Sequence, residues 1–389
     1  MIAQMELERL PFRAPLSAYE QQAEILLAGH RAADPAAIDL FHRRHPRFLD
    51  ETVTWRPKFI PDSEIREAAL SLDDARLVIA RDYSFLDWNA LVAYVDTVSH
   101  DGPVFAFESA VEAVVNGDHA ALEAALHRDA SLVRARSNRV SNFDPPVHAA
   151  TLLHYVAANG VEDHRQRTPP NAVDVARTLL EAGAEPDALA HMYGADCTTM
   201  SMLVSSSHPA AAGLQAPLVE LLLDFGAALE GAGSRKWGGP LRTAVSFGMM
   251  DAAKVLLRRG ARIDLPIAAA LGREDEVARL LPDAAADARH RALSLAAQQG
   301  HPSIVRLLLD AGEDPNRFNL EGNHAHSTPL HQAVVHGHDA VVRLLVERGA
   351  RLDIRDTIWN GTPLGWAMYG GGTRQAEMTA YLRSLGAPE

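Results

Sequence analysis

Histidines are concentrated in one short stretch of this chain, EGNHAHSTPLHQA at residues 321–333, which carries His324, His326 and His331. A neutral imidazole is a common metal ligand and can act as an acid or base near neutral pH. In an extended segment residues i and i+2 point to the same side, so His324 and His326 are expected to form a pair. With Asp356 they predict a candidate divalent-metal site. The alternatives are contact with a ligand or partner without a metal, and a hydrogen-bonding role in a loop.

A second combination that could do chemistry surrounds Cys197, the single cysteine of the chain. One cysteine permits neither an intrachain disulfide nor a cysteine-based zinc site. A Cys–His nucleophile pair with His191 is conceivable, but the carboxylate of Asp196 would raise the thiol pKa and oppose activation. The chain carries no nucleophile elbow, glycine-rich phosphate loop or zinc-protease motif. The sequence therefore leaves open whether the protein is an enzyme, and no cofactor beyond the possible metal is expected.

Composition excludes some classes of partner. The 389 residues carry a net charge of −13, which argues against nucleic acids and against docking on anionic membranes. No apolar run is long enough to span a membrane. The N-terminal residues lack the apolar core of a secretory signal. We expect a cytoplasmic protein.

The elements that must position these residues recur along the chain. Six short amphipathic segments carry leucines on one face and end near a glycine, which suits the left-handed turn that terminates a helix. They are residues 176–187, 219–230, 253–264, 305–316, 342–353 and 380–389. Matching first helices are predicted at residues 151–160, 240–249, 291–301, 328–338 and 362–371. Two of these begin with Thr-Pro-Leu, in which threonine caps the helix and proline suits its first position.

A helix, a tight turn, a second helix and a glycine-ended loop, recurring about every 34 residues, resemble the ankyrin repeat. TPLH at 328–331 and the GH pairs at 300–301 and 337–338 are signatures of that family. The resemblance covers roughly residues 104–387 and implies an all-α, ankyrin-type solenoid of about eight helix-turn-helix units with extended finger loops. Residues 266–287 are read as one truncated unit.

The resemblance also assigns roles to histidines. His331 of TPLH and His154 in the equivalent place are expected to be scaffold residues. His336 and His338, at the turn between two helices, are expected to be structural as well. His324 and His326 fall outside the family pattern, which makes them candidates for a binding role.

Residues 1–100 lack the repeat period. Candidate helices there are residues 17–31, 35–45, 63–81 and 86–98, and the stretch 72–96 resembles a segment that precedes ankyrin repeats in many bacterial proteins. A solenoid needs its first unit covered by an element with a polar outer face. The predicted domains are therefore a helical N-terminal capping region at 1–100 and an ankyrin-repeat solenoid at 104–389.

Insertions interrupt the repeats at two kinds of position. Those at 154–176 and 204–218 expand turns inside a unit, so His164 and His208 are predicted to be surface turn residues. Finger insertions are predicted at residues 136–150, 188–199, 231–240, 316–327 and 354–361. Their aromatic and polar side chains predict a ligand- or partner-binding surface, with Arg139 as a further candidate. The residues proposed for it are His191, Tyr193, Lys236, Trp237, Arg317, His324, His326, Trp359 and Asn360.

Two functions remain open from the sequence. The family resemblance favours a binding module that recognises a protein or peptide partner through its concave finger face. The alternative is a small-ligand-binding protein or an enzyme with a histidine-lined, metal-binding pocket between finger loops. An open groove would favour the first function and a closed pocket the second. The finger aromatics could also serve simply to stiffen neighbouring fingers.

Overall fold

The computed structural model describes residues 7–234, 238–369 and 375–389. Regular structure in these ranges is almost entirely helical, and the strands there form one two-stranded hairpin. The chain divides into two compact units, Met1–Ala228 and Leu229–Glu389. Within the described ranges no helix combines the length and apolar character needed to cross a membrane. The predicted domain boundary near residue 100 stays a prediction.

The first unit carries the following α-helices: α1 Leu16–Arg31, α2 Pro35–Arg44, α3 Asp62–Arg66, α4 Leu72–Asp82, α5 Trp88–Ser99, α6 Pro103–Asn116, α7 His119–Arg128, α8 Leu152–Val156, α9 Ala172–Glu181, α10 Thr199–Leu203, α11 Ser207–Ala211 and α12 Gln215–Asp224. Short 3-10 helices lie at Pro46–Phe48, Ala130–Arg134 and Asp163–Arg165. Strands β1 Ala190–Met192 and β2 Ala195–Cys197 pair antiparallel.

Three of the four helices predicted before residue 100 are confirmed to within one or two residues. The single helix predicted at 63–81 is wrong, because the chain there forms α3 and α4 with a non-helical link. Ser71 starts α4 with a capping box, since its side chain accepts from the Asp74 amide and the Asp74 carboxylate accepts from the Ser71 amide. This reciprocal pairing satisfies free amides at the helix start.

Helix pairs follow the N-terminal helices. In the first unit α6 packs on α7, α8 on α9, and α10 on α12. The two insertions predicted inside repeat units are confirmed. The 3-10 helix Asp163–Arg165 lies between α8 and α9, and α11 lies between α10 and α12. The first helix of each of these two pairs is only five residues long.

The second unit carries α13 Pro240–Ser246, α14 Met250–Arg258, α15 Leu265–Ala270, α16 Glu274–Leu280, α17 Ala286–Gln299, α18 Pro302–Asp310, α19 Pro329–Val335, α20 Asp339–Glu347, α21 Pro363–Tyr369 and α22 Gln375–Ser384. Consecutive helices pack in pairs from α13·α14 onward. The predicted truncated unit is confirmed as the short pair α15 and α16. Terminal glycines such as Gly312 and Gly349 have positive φ, 89° and 87°, as a helix-ending left-handed turn requires.

The core of the second unit is a row of apolar side chains contributed by successive pairs. First helices stack on each other through α15, α17, α19 and α21, and second helices stack through α16, α18 and α20. Leu293, Leu330 and Leu364, one from each of three first helices, are essentially fully buried. Each such leucine contributes roughly 1.5–3 kcal/mol by leaving water. Because every pair buries its apolar face against its neighbours, each helix pair is stabilised mainly by the pairs directly before and after it.

Candidate functional site

His331 and His154 belong to the scaffold, as the sequence predicts. At His331 the Nδ1 atom accepts the Thr328 amide at 3.3 Å and contacts the Thr328 hydroxyl at 2.8 Å. Because Nδ1 accepts, the neutral ring carries its hydrogen on Nε2, which donates to the Gly361 carbonyl at 3.2 Å. His154 repeats the arrangement with Thr151 and the carbonyl of Cys197. Burial lowers the pKa of both histidines to about 4.

The histidines of the GH pairs join one helix pair to the preceding one. His338 donates from Nε2 to the Gln298 carbonyl at 2.9 Å, and His301 donates to the Ala270 carbonyl at 3.0 Å. His336 contacts the carbonyl of Gln332, on its own helix, at 2.8 Å. The structural role predicted for His338 is confirmed, whereas His336 is exposed and its bond lies within the end of its own helix.

The finger at 316–327 folds back over the first helices of the second unit, and His324 fixes it there. Its Nε2 atom lies 3.0 Å from the Ser246 carbonyl, at the end of α13. The predicted extended segment is wrong, because the finger consists of turns in which His324 has a left-handed φ of 53°. The Ser327 amide closes one turn onto the His324 carbonyl at 3.0 Å. One ring nitrogen of His324 is therefore used to hold the finger in place.

Five rings contact one another along the surface of the second unit, and we call them the aromatic row. Its members are Phe247, His324, His326, Trp359 and Trp366. Ring centroids are 5.9 Å apart for Phe247 and His324, 6.0 Å for the two histidines and 5.1 Å for His326 and Trp359. Phe247 is 49% exposed and Trp359 is 44% exposed. The predicted association of His324, His326 and Trp359 is thus present, with two rings that the sequence did not single out.

Both histidines of the row are neutral at neutral pH. Burial is the main cause that lowers the pKa of His324, and the carbonyl of Ser246 opposes the shift. Burial and the neighbouring His324 lower the pKa of His326, with Asp356 opposing. The row therefore presents an uncharged surface.

Asp356 holds the finger that carries Trp359. Its carboxylate accepts from the amides of Trp359 at 2.6 Å and Gly361 at 2.8 Å, and from the indole N–H of Trp366 at 2.9 Å. Burial would raise the pKa of Asp356, but these donors keep it lowered. A backbone bond of 2.9 Å from the Thr357 amide to the carbonyl of His326 joins the two fingers.

The predicted metal ligands are brought near one another, but two of the three, Asp356 and His324, are already engaged. Asp356 accepts from four N–H groups, and the Nε2 atom of His324 is used by a carbonyl. Among the described residues there is no group of three or more His, Cys, Asp or Glu side chains placed to hold a metal ion. Coordination would require these bonds to break. The metal site stays a prediction.

The remaining candidates of the second unit lie at the edges of this surface. Arg317 is exposed and pairs with Asp287 at 2.7 Å. Asn360 is exposed, has a left-handed φ of 54°, and accepts at its carbonyl from Arg355 at 2.8 Å. Lys236 and Trp237 lie outside the described residues.

In the first unit the finger at 188–199 is a β-hairpin. Tyr193 and Gly194 form its two-residue turn and both have positive φ, as the favoured hairpin turns require. Tyr193 is 55% exposed and its hydroxyl donates to the Asn159 side chain at 2.9 Å. The ring of His191 lies 2.6 Å from the Asp196 carboxylate across the hairpin.

The hairpin also bears on the hypothesis that Cys197 and His191 form a nucleophile pair. Side chains alternate between the two faces of a strand, and Cys197 lies on the buried face, only 1% exposed, while His191 lies on the exposed face. The thiol donates to the Met192 carbonyl at 3.4 Å. The structure does not bring the thiol and the imidazole together.

Two predictions of surface residues in the first unit are wrong. Arg139 is 5% exposed, donates to the Tyr83 carbonyl at 2.6 Å and stacks on Phe85. His164 packs edge-on against Tyr83, and its buried Nδ1 atom has no hydrogen-bond partner within the described ranges. Both belong to segments that fold back onto earlier parts of the chain, since Arg139 reaches Tyr83, and Arg165, next to His164, is fully buried against Glu108 of α6. No periodic pattern marks such contacts, and the charged run EDHRQR at 162–167 is the one local sign.

The helix pairs, the histidine bridges between pairs and the glycine-ended loops define a helical repeat protein. The family model for ankyrin repeats (3 copies) matches residues 265–356, which include α15 to α20 and the finger at 316–327. The chain therefore contains ankyrin repeats over residues 265–356. None of the curated proteins compared with the chain matches it. Ankyrin repeats are generally protein-interaction modules.

Proposed function

We propose that the chain is a binding module for a protein partner and that the aromatic row receives an extended peptide segment of that partner. One observation carries the proposal. The row brings rings from separate segments, the end of α13, two fingers and α21, into continuous contact while leaving Phe247 and Trp359 about half exposed.

The physical chemistry of the row favours recognition over a purely structural role. Aromatic side chains are enriched where partners bind tightly, because they bury much area with few rotatable bonds. The backbone around Trp359 is held by the Asp356 carboxylate, so its finger loses little freedom on binding. Both histidines are neutral, so covering the row with a partner removes no charge from water.

In the first unit we propose the hairpin with Tyr193 and His191 as a second contact surface. Its support is an exposed tyrosine on a rigid two-residue turn. An array of about eight units, and a capping role for residues 1–100, also belong to the proposal. Both proposals are supported by the helix pairs found within each of the two compact units.

The small-ligand or enzyme alternative needs imidazole nitrogens that are free to coordinate or to transfer protons. Both ring nitrogens of His331 are engaged, and so is the Nε2 atom of His324. Among the described residues, none makes a hydrogen bond to the ring of His326, so the uncommitted nitrogens of the row are those of His326 and the Nδ1 atom of His324, on rings whose centroids are 6.0 Å apart. This small number of uncommitted nitrogens favours the binding module.

The test compares partner capture by the full chain and by variants, with quantitative mass spectrometry in the native host. We expect Trp359→Ala combined with Phe247→Ala to lose its specific partners, because interface aromatics often contribute roughly 2 kcal/mol or more. Trp55→Ala is the matched control, since Trp55 is 64% exposed in the first unit and lies outside the row. Undiminished capture by the double variant would refute the proposed role of the row.

A separate measurement tests the hypothesis that His324 and His326 bind a metal. Elemental analysis of the purified chain, before and after chelation, should show a divalent metal in stoichiometric amount if His324 and His326 coordinate one. Its loss in the double alanine variant of these histidines would locate it. A metal-free parent chain that still binds its partner would leave the row as an aromatic contact surface alone.

A further inference from the structure

Two hydrogen-bond acceptors that border the aromatic row are already used by the protein. The Asp356 carboxylate accepts from three backbone amides and from the indole N–H of Trp366. The Ser246 carbonyl accepts from the Gln298 side chain at 2.7 Å and lies 3.0 Å from the Nε2 atom of His324. A ligand on the row therefore cannot place its own N–H donors on these two groups without breaking bonds inside the protein.

Donors on the row are in the opposite situation. Among the described residues, none accepts a hydrogen bond from the indole N–H of Trp359, whose ring is 44% exposed. The neutral ring of His326 carries one N–H and makes no hydrogen bond within the described ranges. The centroids of these two rings are 5.1 Å apart. The row thus offers N–H donors beside aromatic faces, and it suits a ligand that brings carbonyl acceptors.

A proline-rich segment in the polyproline II conformation has the matching chemistry. Proline has no backbone N–H, so each such residue brings an acceptor and no donor. Polyproline II makes no internal hydrogen bonds, so its carbonyls remain available to a binding surface. A β-strand, by contrast, also brings backbone N–H groups that need acceptors. The fixed φ of proline lowers the entropy lost on binding, and aromatic-lined grooves recognise such segments for this reason.

The length and the charge of the row agree with this ligand. Successive centroids from Phe247 through the two histidines to Trp359 are 5.9, 6.0 and 5.1 Å apart, a path of at most about 17 Å. Polyproline II rises about 3.1 Å per residue, so the path corresponds to roughly five residues, or more than one turn. Both histidines are neutral, so the row matches an uncharged segment.

We infer that the partner segment received by the aromatic row is proline-rich and binds as a polyproline II helix, which rests on the proposed function of the row as a partner site. Its proline rings pack on the exposed faces of Phe247 and Trp359. Its carbonyls accept from the indole N–H of Trp359 and from the ring N–H of His326.

The test titrates the full chain with an end-capped oligoproline of about ten residues, a length that covers the row and holds the polyproline II conformation. Isothermal titration calorimetry measures the binding. A glycine–serine peptide of the same length is the control, because it keeps its N–H donors and is flexible. We expect saturable binding of the oligoproline and no binding of the glycine–serine peptide over the same concentrations.

Trp359→Phe keeps an aromatic face and removes the indole N–H. It should weaken oligoproline binding roughly threefold to tenfold, as loss of one hydrogen bond implies. The melting temperature should be essentially unchanged, because the side chain is half exposed. Trp55→Phe makes the same substitution at a 64% exposed tryptophan of the first unit, and this matched control should bind as the parent does.

Three outcomes would overturn the inference. The first is the lack of saturable oligoproline binding to the parent chain, and the second is equal affinity in the parent and in Trp359→Phe. The third is Trp359-dependent binding of an arginine–serine peptide in preference to the oligoproline, which would mean a cationic segment held by cation–π contact.

These outcomes are separable from the proposed function. If the oligoproline fails to bind while Trp359→Ala with Phe247→Ala loses its native partners, the row is a partner site for a segment of other chemistry. The polyproline II inference then falls and the proposed function stands.

Discussion

His331 and His154 each use both ring nitrogens inside the protein, and this use separates them from the histidines of the aromatic row. The Nδ1 atom accepts an amide three residues earlier and Nε2 donates to the next finger. His326 has no such bond among the described residues and touches aromatic rings instead. At the scale of single residues, position within the repeat therefore distinguishes scaffold from surface.

The first prediction concerns His331→Ala. It removes a buried ring that joins α19 to the following finger, and should lower the free energy of unfolding by roughly 1–2 kcal/mol. Chemical denaturation of the variant and its parent measures the change. His336→Ala, at an exposed histidine one turn away, is the control and should cost about 0.5 kcal/mol or less. Full stability of His331→Ala with loss of partner binding would contradict the scaffold role.

The second prediction concerns pH. His331 and His154 have folded-state pKa values of about 4, below the ordinary value of 6.5. The unfolded chain therefore takes up protons first, and the stabilisation is fully present above pH 6.5 and is lost as pH falls toward 4. Each histidine should account for roughly 3 kcal/mol over this window. Denaturation at pH 7, 6, 5 and 4 checks it, and His331→Gln should show a shallower loss than the parent.

At the scale of elements, loops that interrupt the repeats are held by long-range polar contacts. Arg165, in the insertion between α8 and α9, is fully buried and donates to Glu108 of α6 at 2.6 Å. The Tyr94 hydroxyl of α5 donates to the same carboxylate at 2.8 Å. This arrangement fixes the insertion against two helices that are distant in sequence.

The third prediction follows from this contact. Arg165→Met should destabilise the protein by about 3–5 kcal/mol, because it leaves the buried Glu108 and Glu162 carboxylates with the more distant Arg139, at 3.9 and 3.7 Å, in place of a direct bond to Arg165. Adding Glu108→Gln should recover part of that loss, since a neutral amide no longer needs an ion pair. The free energies of unfolding of parent, single and double variants form the measurement. A single variant as stable as the parent would show that the pair contributes little.

At the scale of the whole molecule, the N-terminal helices and the first repeat units share one compact unit. α5 packs directly on α6, and the segment around Phe85 pairs with Ser141 in the first finger. The Leu86 amide donates to the Val140 carbonyl at 3.1 Å. These contacts support the proposed role of residues 1–100 as a terminal cover over the apolar face of the repeat array.

The fourth prediction tests that cover. Deleting residues 1–100 should expose the apolar face of α6, remove Tyr94 from Glu108 and remove Tyr83 and Phe85 from Arg139. The remaining chain should then aggregate or melt at a lower temperature than the full protein. Light scattering and thermal denaturation compare the two. An equally soluble and stable truncated chain would remove the capping role.

The sequence alone determined the repeats, their terminal glycines and the scaffold histidines. Helix periodicity and the Thr-to-His cap are local, spanning three or four residues, so they leave a readable pattern. The tertiary structure alone decided which loop residues meet. His324 reaches a carbonyl 78 residues away, and Arg165 reaches a carboxylate 57 residues away. Such pairings follow no period, because a buried polar group needs a partner in space whatever its distance along the chain.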